Sequence, residues 1–125
     1  MMDYLVDTQI AYWWMTDDPR LPAPIRSLIA KSPIWLSVVT PWEMMTKEQK
    51  GKLKIPPHFE HGLRSTGFIR LDVDLNHVME YRRLPRHHAD PFDRMLIAQA
   101  RVEGLTLITA DRRLSAYEVP LRLVE

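Results

Sequence analysis

Five acidic residues are spaced so that a folding chain could gather them: Asp7, Glu43, Asp90, Asp93 and Asp111. Asp7 follows the apolar run Tyr4-Leu5-Val6, Glu43 follows Ile34 to Val39 by one helical turn, and Asp111 follows Leu105 to Ile108. Those runs lack polar alternation, as strands buried on both faces do, so the three acids emerge at carboxyl ends of strands. In an open parallel sheet such ends share the edge at which these folds bind ligands. Asp90 and Asp93 belong to a helix mouth: Asp90 suits the N-cap, Pro91 the first helical position, and Asp93 the first turn. That helix precedes the strand leading to Asp111, so bringing its mouth to the same edge takes a crossover that spacing alone does not dictate.

Acids that do converge need a cation. Two unit charges about 4 Å apart repel by roughly 4 kcal/mol at an effective dielectric of 20, and this set contains several pairs. With no cysteine in the chain, the donors are hard oxygens, which suit Mg²⁺ or Mn²⁺ better than zinc. Such ions activate a water and neutralise charge on a phosphodiester, so metal-dependent phosphodiester hydrolysis is the chemistry this pattern favours. The histidines offer little to zinc. His87 and His88 are adjacent and point apart on a helix, and His58 and His61 have no His-Glu-x-x-His context. Each acid also has a purely structural reading. Asp90 and Asp93 are ordinary cap and first-turn residues, and Thr40-Pro41-Trp42-Glu43 reads as a capping box in which Glu43 folds back on Thr40.

The elements that must position these residues alternate throughout. After the first strand, Ile10, Trp13 and Trp14 recur at helical spacing; residues 16–22 break the pattern, and Ile25, Leu28 and Ile29 resume it. A helix with Met44 and Met45 stops near Gly51, and a short one runs from about Phe59 to Gly67. Phe68 to Leu71 suits a strand. Leu75 to Leu84 suits a helix with Val78, Met79 and Tyr81 inward. The acid-mouthed helix turns Met95, Leu96, Ala98, Ala100 and Val102 to the core and ends at Gly104. One more helical turn over Arg112 to Tyr117 and a strand over Pro120 to Val124 complete the chain. Trp13, Trp14, Trp35 and Trp42 are expected in the core, although Trp13 and Trp14 cannot both face inward from one helix. The economical fold is α/β: a three-layer α/β/α sandwich around a mostly parallel sheet of four or five strands, with right-handed crossovers.

Without a Gly/Ser-rich or charged linker, the 125 residues are expected to form one domain, 1–125. Hydrophobic residues make up 46% and charged residues 26%, the balance of a soluble globular protein. No apolar run approaches the roughly 20 residues that span a bilayer. The N-terminus moves directly into a strand-like run, so no signal peptide and a cytoplasmic location are expected. A net charge of +1 excludes a globally basic nucleic-acid binder. Local clusters remain, Lys47, Lys50, Lys52 and Lys54 in one and Arg82, Arg83, Arg86, His87 and His88 in the other, which could hold a polyanion beside an acidic site.

Five blocks carry a resemblance: Tyr4-Leu5-Val6-Asp7-Thr8, Ser37-Val38-Val39-Thr40-Pro41-Trp42-Glu43, Gly51-Lys52-Leu53, Asp90-Pro91-Phe92-Asp93-Arg94 with Leu96-Ile97-Ala98-Gln99-Ala100, and Gly104-Leu105-Thr106-Leu107-Ile108-Thr109-Ala110-Asp111. In this order the chain resembles PIN-domain ribonucleases, most of all the VapC-type toxins of prokaryotic type II toxin–antitoxin operons. The resemblance implies an α/β/α PIN fold and an Mg²⁺- or Mn²⁺-dependent endoribonuclease with Asp7, Glu43, Asp93 and Asp111 as metal and catalytic residues, joined by Asp90. Thr8, Thr40, Arg94 and Thr109 are the substrate contacts expected beside them. It further implies an RNA substrate, a homodimer, and a VapB-type antitoxin whose C-terminal segment blocks the acidic groove. Gln9 stands where close relatives often have histidine, and Ala89 where arginine is frequent; neither change removes a carboxylate. Two other readings share the pattern. A non-catalytic PIN-like binding protein would act through partner association, and a phosphoacceptor receiver would need a lysine after its last strands, whereas none follows Lys54.

Overall fold

Short apolar runs become strands and the longer periodic segments become helices in the computed structural model, which describes residues 3–125. In chain order these are β1 (Tyr4–Val6), α1 (Thr8–Met15), α2 (Ala23–Lys31), β2 (Ile34–Ser37), α3 (Val39–Gln49), α4 (Phe59–Ser65), β3 (Ile69–Leu71), α5 (Leu75–Arg83), α6 (Pro91–Glu103), β4 (Thr106–Thr109), a 3₁₀ turn at Arg112–Ala116, and β5 (Leu121–Leu123). All five strands pair in parallel, in the order β3-β2-β1-β4-β5. Successive strand residues face opposite sides of a sheet, and the core divides accordingly. Leu5 and Leu107 pack with Leu96, Ile97 and Ala100 of α6. Val6 and Ile108 pack on the other side with Ile10 of α1, Ile25 and Ile29 of α2, and Met44 of α3. The result is a three-layer α/β/α sandwich whose sheet is covered on both faces.

The chain builds outward from β1 to β2 and β3, then returns to lay β4 on the free side of β1. Asp7 and Asp111 therefore flank the place where strand order reverses, the usual ligand crevice of an open α/β sheet. The crossover also settles where the mouth of α6 lies. Gly104, at the C-cap with φ 69°, turns α6 directly into β4. Helix and strand must then run in opposite directions, which carries Asp90 and Asp93 back to the carboxyl edge. The 13 helical residues span about 20 Å, more than the four-residue strand beneath them, so the mouth reaches past the strand end.

A buried polar chain holds this arrangement. The Ser37 hydroxyl, at the end of β2, donates to Gln99 Oε1 of α6 at 2.5 Å and accepts the Val39 N–H at 3.0 Å. The Gln99 amide reaches the Asp72 carbonyl at 3.4 Å. His77 of α5 accepts the Asp74 N–H through Nδ1 at 3.0 Å and meets Glu103 Oε2 through Nε2 at 2.7 Å. One strand end and two helices are thus joined by groups that are all satisfied, which is the condition for a buried polar network to favour a single arrangement.

Several local expectations are corrected. β2 ends at Ser37 rather than Val39, because the Ser37 hydroxyl captures the Val39 N–H and α3 starts two residues early. Pro41 then falls within the first turn, where no N–H is needed, and the capping box between Thr40 and Glu43 does not form. β4 runs one residue later than expected, to Thr109. Val78 and Met79 are exposed and the inward face of α5 is set by His77, which the capping box with Asp74 buries. Val102 is exposed as well, and Trp42 is 63% exposed, resting edge-on against Phe92 at 4.8 Å. Trp13 and Trp14 are both half-buried.

Gly104→Ala tests the reversal. A Cβ there meets nothing within 4 Å, so the cost is confined to the left-handed backbone, about 1 kcal/mol. A lower urea midpoint with unchanged slope is expected; an unchanged midpoint would contradict it.

Candidate metal centre

Each acid is placed by the start of a helix or turn. Asp7 caps α1, its Oδ1 accepting the Ile10 N–H at 2.9 Å. Asp90 caps α6, its Oδ1 accepting from the Phe92 N–H at 2.8 Å and the Asp93 N–H at 3.3 Å. Asp93 projects from the first turn of that helix. Asp111 caps the 3₁₀ turn; it accepts the Arg113 N–H at 3.0 Å, and the Arg113 guanidinium grips its two oxygens at 3.0 and 2.8 Å. Glu43, freed from capping, turns inward to accept the Thr8 hydroxyl at 2.7 Å and the Lys47 ammonium at 2.8 Å. All five acids line one hollow of about 470 Å³, with Lys47 and Arg113 on its walls.

Their charges interact strongly. Burial pushes the Asp7 carboxyl up to about 6 despite the Thr109 hydroxyl and the Ile10 N–H, and the charges of Glu43 and Asp111 add to the rise. Burial also pushes Asp93 up, to about 7, reinforced by Asp90, Glu43, Asp7 and Asp111, four carboxylates acting on one. Asp111 goes the other way, to about 2, because Arg113 pairs with it. Lys47 and Arg113 therefore offset Glu43 and Asp111. Among the described residues no lysine or arginine lies within ion-pair distance of Asp7, Asp90 or Asp93. An oxygen-rich hollow with excess negative charge fits a hard divalent cation.

Three participants were not singled out by the acid pattern. His88, dismissed as a zinc ligand, places Nε2 3.3 Å from Asp93 Oδ2 and 3.4 Å from Asp111 Oδ2. Its signal was its position two residues before Asp90. Lys47 was legible as the i+4 partner of Glu43, and Arg113 as a cation two residues after Asp111. The expected substrate contacts are engaged by protein groups, although Thr8 also lines the hollow. Thr8 holds Glu43, Thr40 is fully buried with its hydroxyl 3.3 Å from that of Thr8, and Thr109 accepts the Asp111 N–H at 3.0 Å. Arg94 is buried over the Tyr81 ring and donates to the Pro85 carbonyl at 2.9 Å. It holds the chain where α5 ends, which removes its guanidinium from the hollow.

Residues 4–120 match the model of the PIN domain, and the chain belongs to that family. Among curated proteins it is 27% identical over 128 residues to Ribonuclease VapC22 of Mycobacterium tuberculosis (strain ATCC 25618 / H37Rv), covering 96% of this chain and 95% of that one. Solved structures share the fold. VapBC2 from Rickettsia felis, bound to a DNA fragment from its promoter, superposes with a TM-score of 0.73 at 16% identity, over 99% of this chain and 100% of that one. DNA-bound VapBC from Salmonella typhimurium gives 0.71 at 17% identity, over 100% of both chains.

The raised carboxyls set a pH dependence. Without added metal, the stability associated with protonated Asp7 and Asp93 is complete below 3.8 and is lost as pH rises through about 6 and about 7. Asp93→Asn removes its share of that loss. The variant should match wild type near about pH 4 and exceed it by about 1–3 kcal/mol near about pH 8. Melting curves in chelator that coincide at both pH values would contradict the electrostatics.

Proposed function

We propose that this chain is a metal-dependent endoribonuclease, the toxin of a type II toxin–antitoxin pair, acting as one domain over 1–125 and using Mg²⁺ or Mn²⁺ held by Asp7, Asp93 and Asp111. The observation that carries this reading is the gathering of Asp7, Glu43, Asp90, Asp93 and Asp111 around one hollow. Membership of the PIN family and the likeness to a protein named as a ribonuclease support RNA as the substrate.

A divalent ion at this place supplies an activated water and offsets the charge that builds on the phosphate. The chain's own residues do the rest. Asp7 and Asp93 present a buried and a half-buried carboxyl from two helix starts, and Asp111 a third from the turn after β4. Glu43, fixed between Thr8 and Lys47, would complete the ion's surroundings or accept the proton of the water that the ion would activate. Asp90 is assigned a supporting place, since one of its oxygens is engaged by the α6 cap. Lys47 and Arg113, on the walls of the hollow, meet the phosphates of a bound strand.

The similar chains were crystallised in VapBC assemblies, which supports a VapB-type antitoxin as partner; a homodimer is proposed from the same likeness. Among the described residues no helix is long and apolar enough to cross a membrane, and a cytoplasmic location is part of the proposal.

Asp7→Asn and Asp93→Asn should each lower RNA cleavage roughly 100-fold or more while the circular dichroism spectrum is kept. Chelator should abolish cleavage by wild type, and Mg²⁺ or Mn²⁺ should restore it. Wild-type activity in either variant, or activity that survives chelation, would sink the assignment.

A further inference from the structure

His88 touches both acids that arrive at the hollow from different elements, Asp93 from α6 and Asp111 from the turn after β4. We propose that His88 is a positioning residue whose Nε2, hydrogen-bonded to Asp111 and in contact with Asp93, holds the two acids in register for the cation, and that it is not itself a metal ligand. The proposal rests on the metal-dependent reading above.

The proton's place follows from one backbone group. The Asp90 N–H can only donate, and it points at His88 Nδ1 from 3.1 Å. Nδ1 therefore offers its lone pair, which leaves Nε2 as the ring nitrogen that donates. That nitrogen lies 3.3 Å from Asp93 Oδ2 and 3.4 Å from Asp111 Oδ2. A ring nitrogen that carries a proton has no lone pair for a metal. Although His88, Asp93 and Asp111 bring one donor atom each within 4.8 Å of one another, His88 joins the group as a donor to carboxylates.

The ring is also held from behind. The His88 N–H donates to the Tyr117 hydroxyl at 2.9 Å, and Tyr117 is buried in the core beneath α6. Arg94 donates to the same hydroxyl at 3.4 Å and to the Pro85 carbonyl at 2.9 Å, which pins the segment leading to His88. His88 is thus fixed through its backbone and through Nδ1, and Nε2–H is left to face the two acids. His77 uses the same device, with Nδ1 on the Asp74 N–H and Nε2 on Glu103. There the carboxylate ties α5 to α6. At His88 both carboxylates line the hollow, and outer hydrogen bonds of this kind orient ligating carboxylates and tune affinity.

Calorimetric titration of the full chain with Mn²⁺, alongside melting temperatures in chelator, tests the role. His88→Ala should weaken Mn²⁺ binding by about 10–100-fold, whereas His88→Gln, whose amide can donate from near the Nε2 position, should stay within about 3-fold of wild type. Melting temperatures in chelator should show that both variants remain folded. Wild-type affinity in His88→Ala overturns the proposal. Equal weakening in folded Ala and Gln variants also overturns it, because the imidazole itself would then be required. Asp93→Asn separates the two layers of the argument. If it loses Mn²⁺ binding while His88→Ala keeps it, only the role of His88 falls; if wild type binds no Mn²⁺, the metal centre falls and the role of His88 with it.

Discussion

Mutual repulsion among carboxylates in a partly dry hollow is the constraint on which this structure depends. Water normally screens such charges, but Asp7 and Glu43 are buried and Asp93 nearly so. Lys47 and Arg113 neutralise one acid each at the rim. The remaining charge is handled by lifting Asp7 and Asp93 toward neutrality. A protein selected only for stability would have little reason to keep this arrangement, because replacing one member by an amide would relieve it. Five acids around one hollow are what the proposed cation-dependent function requires.

The fold exists in the form it does because a parallel sheet gives such a hollow for a small number of residues. Each strand carboxyl end delivers the chain to the same edge, where the next helix begins, and a helix start welcomes an acid. Asp7 uses the start of α1, Glu43 the second turn of α3, and Asp90 and Asp93 the mouth of α6. The residues that support them are not decorative. Ser37, Gln99 and His77 lock β2, α5 and α6 together behind the hollow, and Tyr117 with Arg94 braces the loop that carries His88. Disturbing that scaffold would displace carboxylates that are far from the altered side chain.

Much of this was legible in the sequence where the signal is local. Asp90-Pro91 marks a helix start because both residues suit it intrinsically, and Gly104 marks its end because the αL conformation there is cheap only for glycine. The antiparallel packing of α6 on β4, which brings Asp93 to the shared edge, was not dictated by spacing and came from the structure. What was not legible was decided by partners distant in sequence. Thr40 and Glu43 form a sound capping box as a string of letters, yet the Ser37 hydroxyl moves the helix start and Thr8, 35 residues from Glu43, takes its carboxylate. Val78 and Met79 have helical spacing, but His77 is carried inward by its cap and by Glu103. His88 looked like a poor zinc ligand, and its actual surroundings depend on Tyr117, 29 residues on. Arg94 looked like a substrate contact, and carbonyls at the end of α5 take it instead.

A second cluster, Asp74, His77 and Glu103, also brings three donor atoms within 4.8 Å, but it has a structural explanation in the capping box of α5 and the tie to α6. Crystals soaked in Mn²⁺ and measured at an energy where manganese scatters anomalously separate the two places directly. The account predicts an anomalous peak in the hollow with oxygens of Asp7, Asp93 and Asp111 at about 2.0–2.3 Å. No peak there, or a peak only at Asp74, His77 and Glu103, would contradict it.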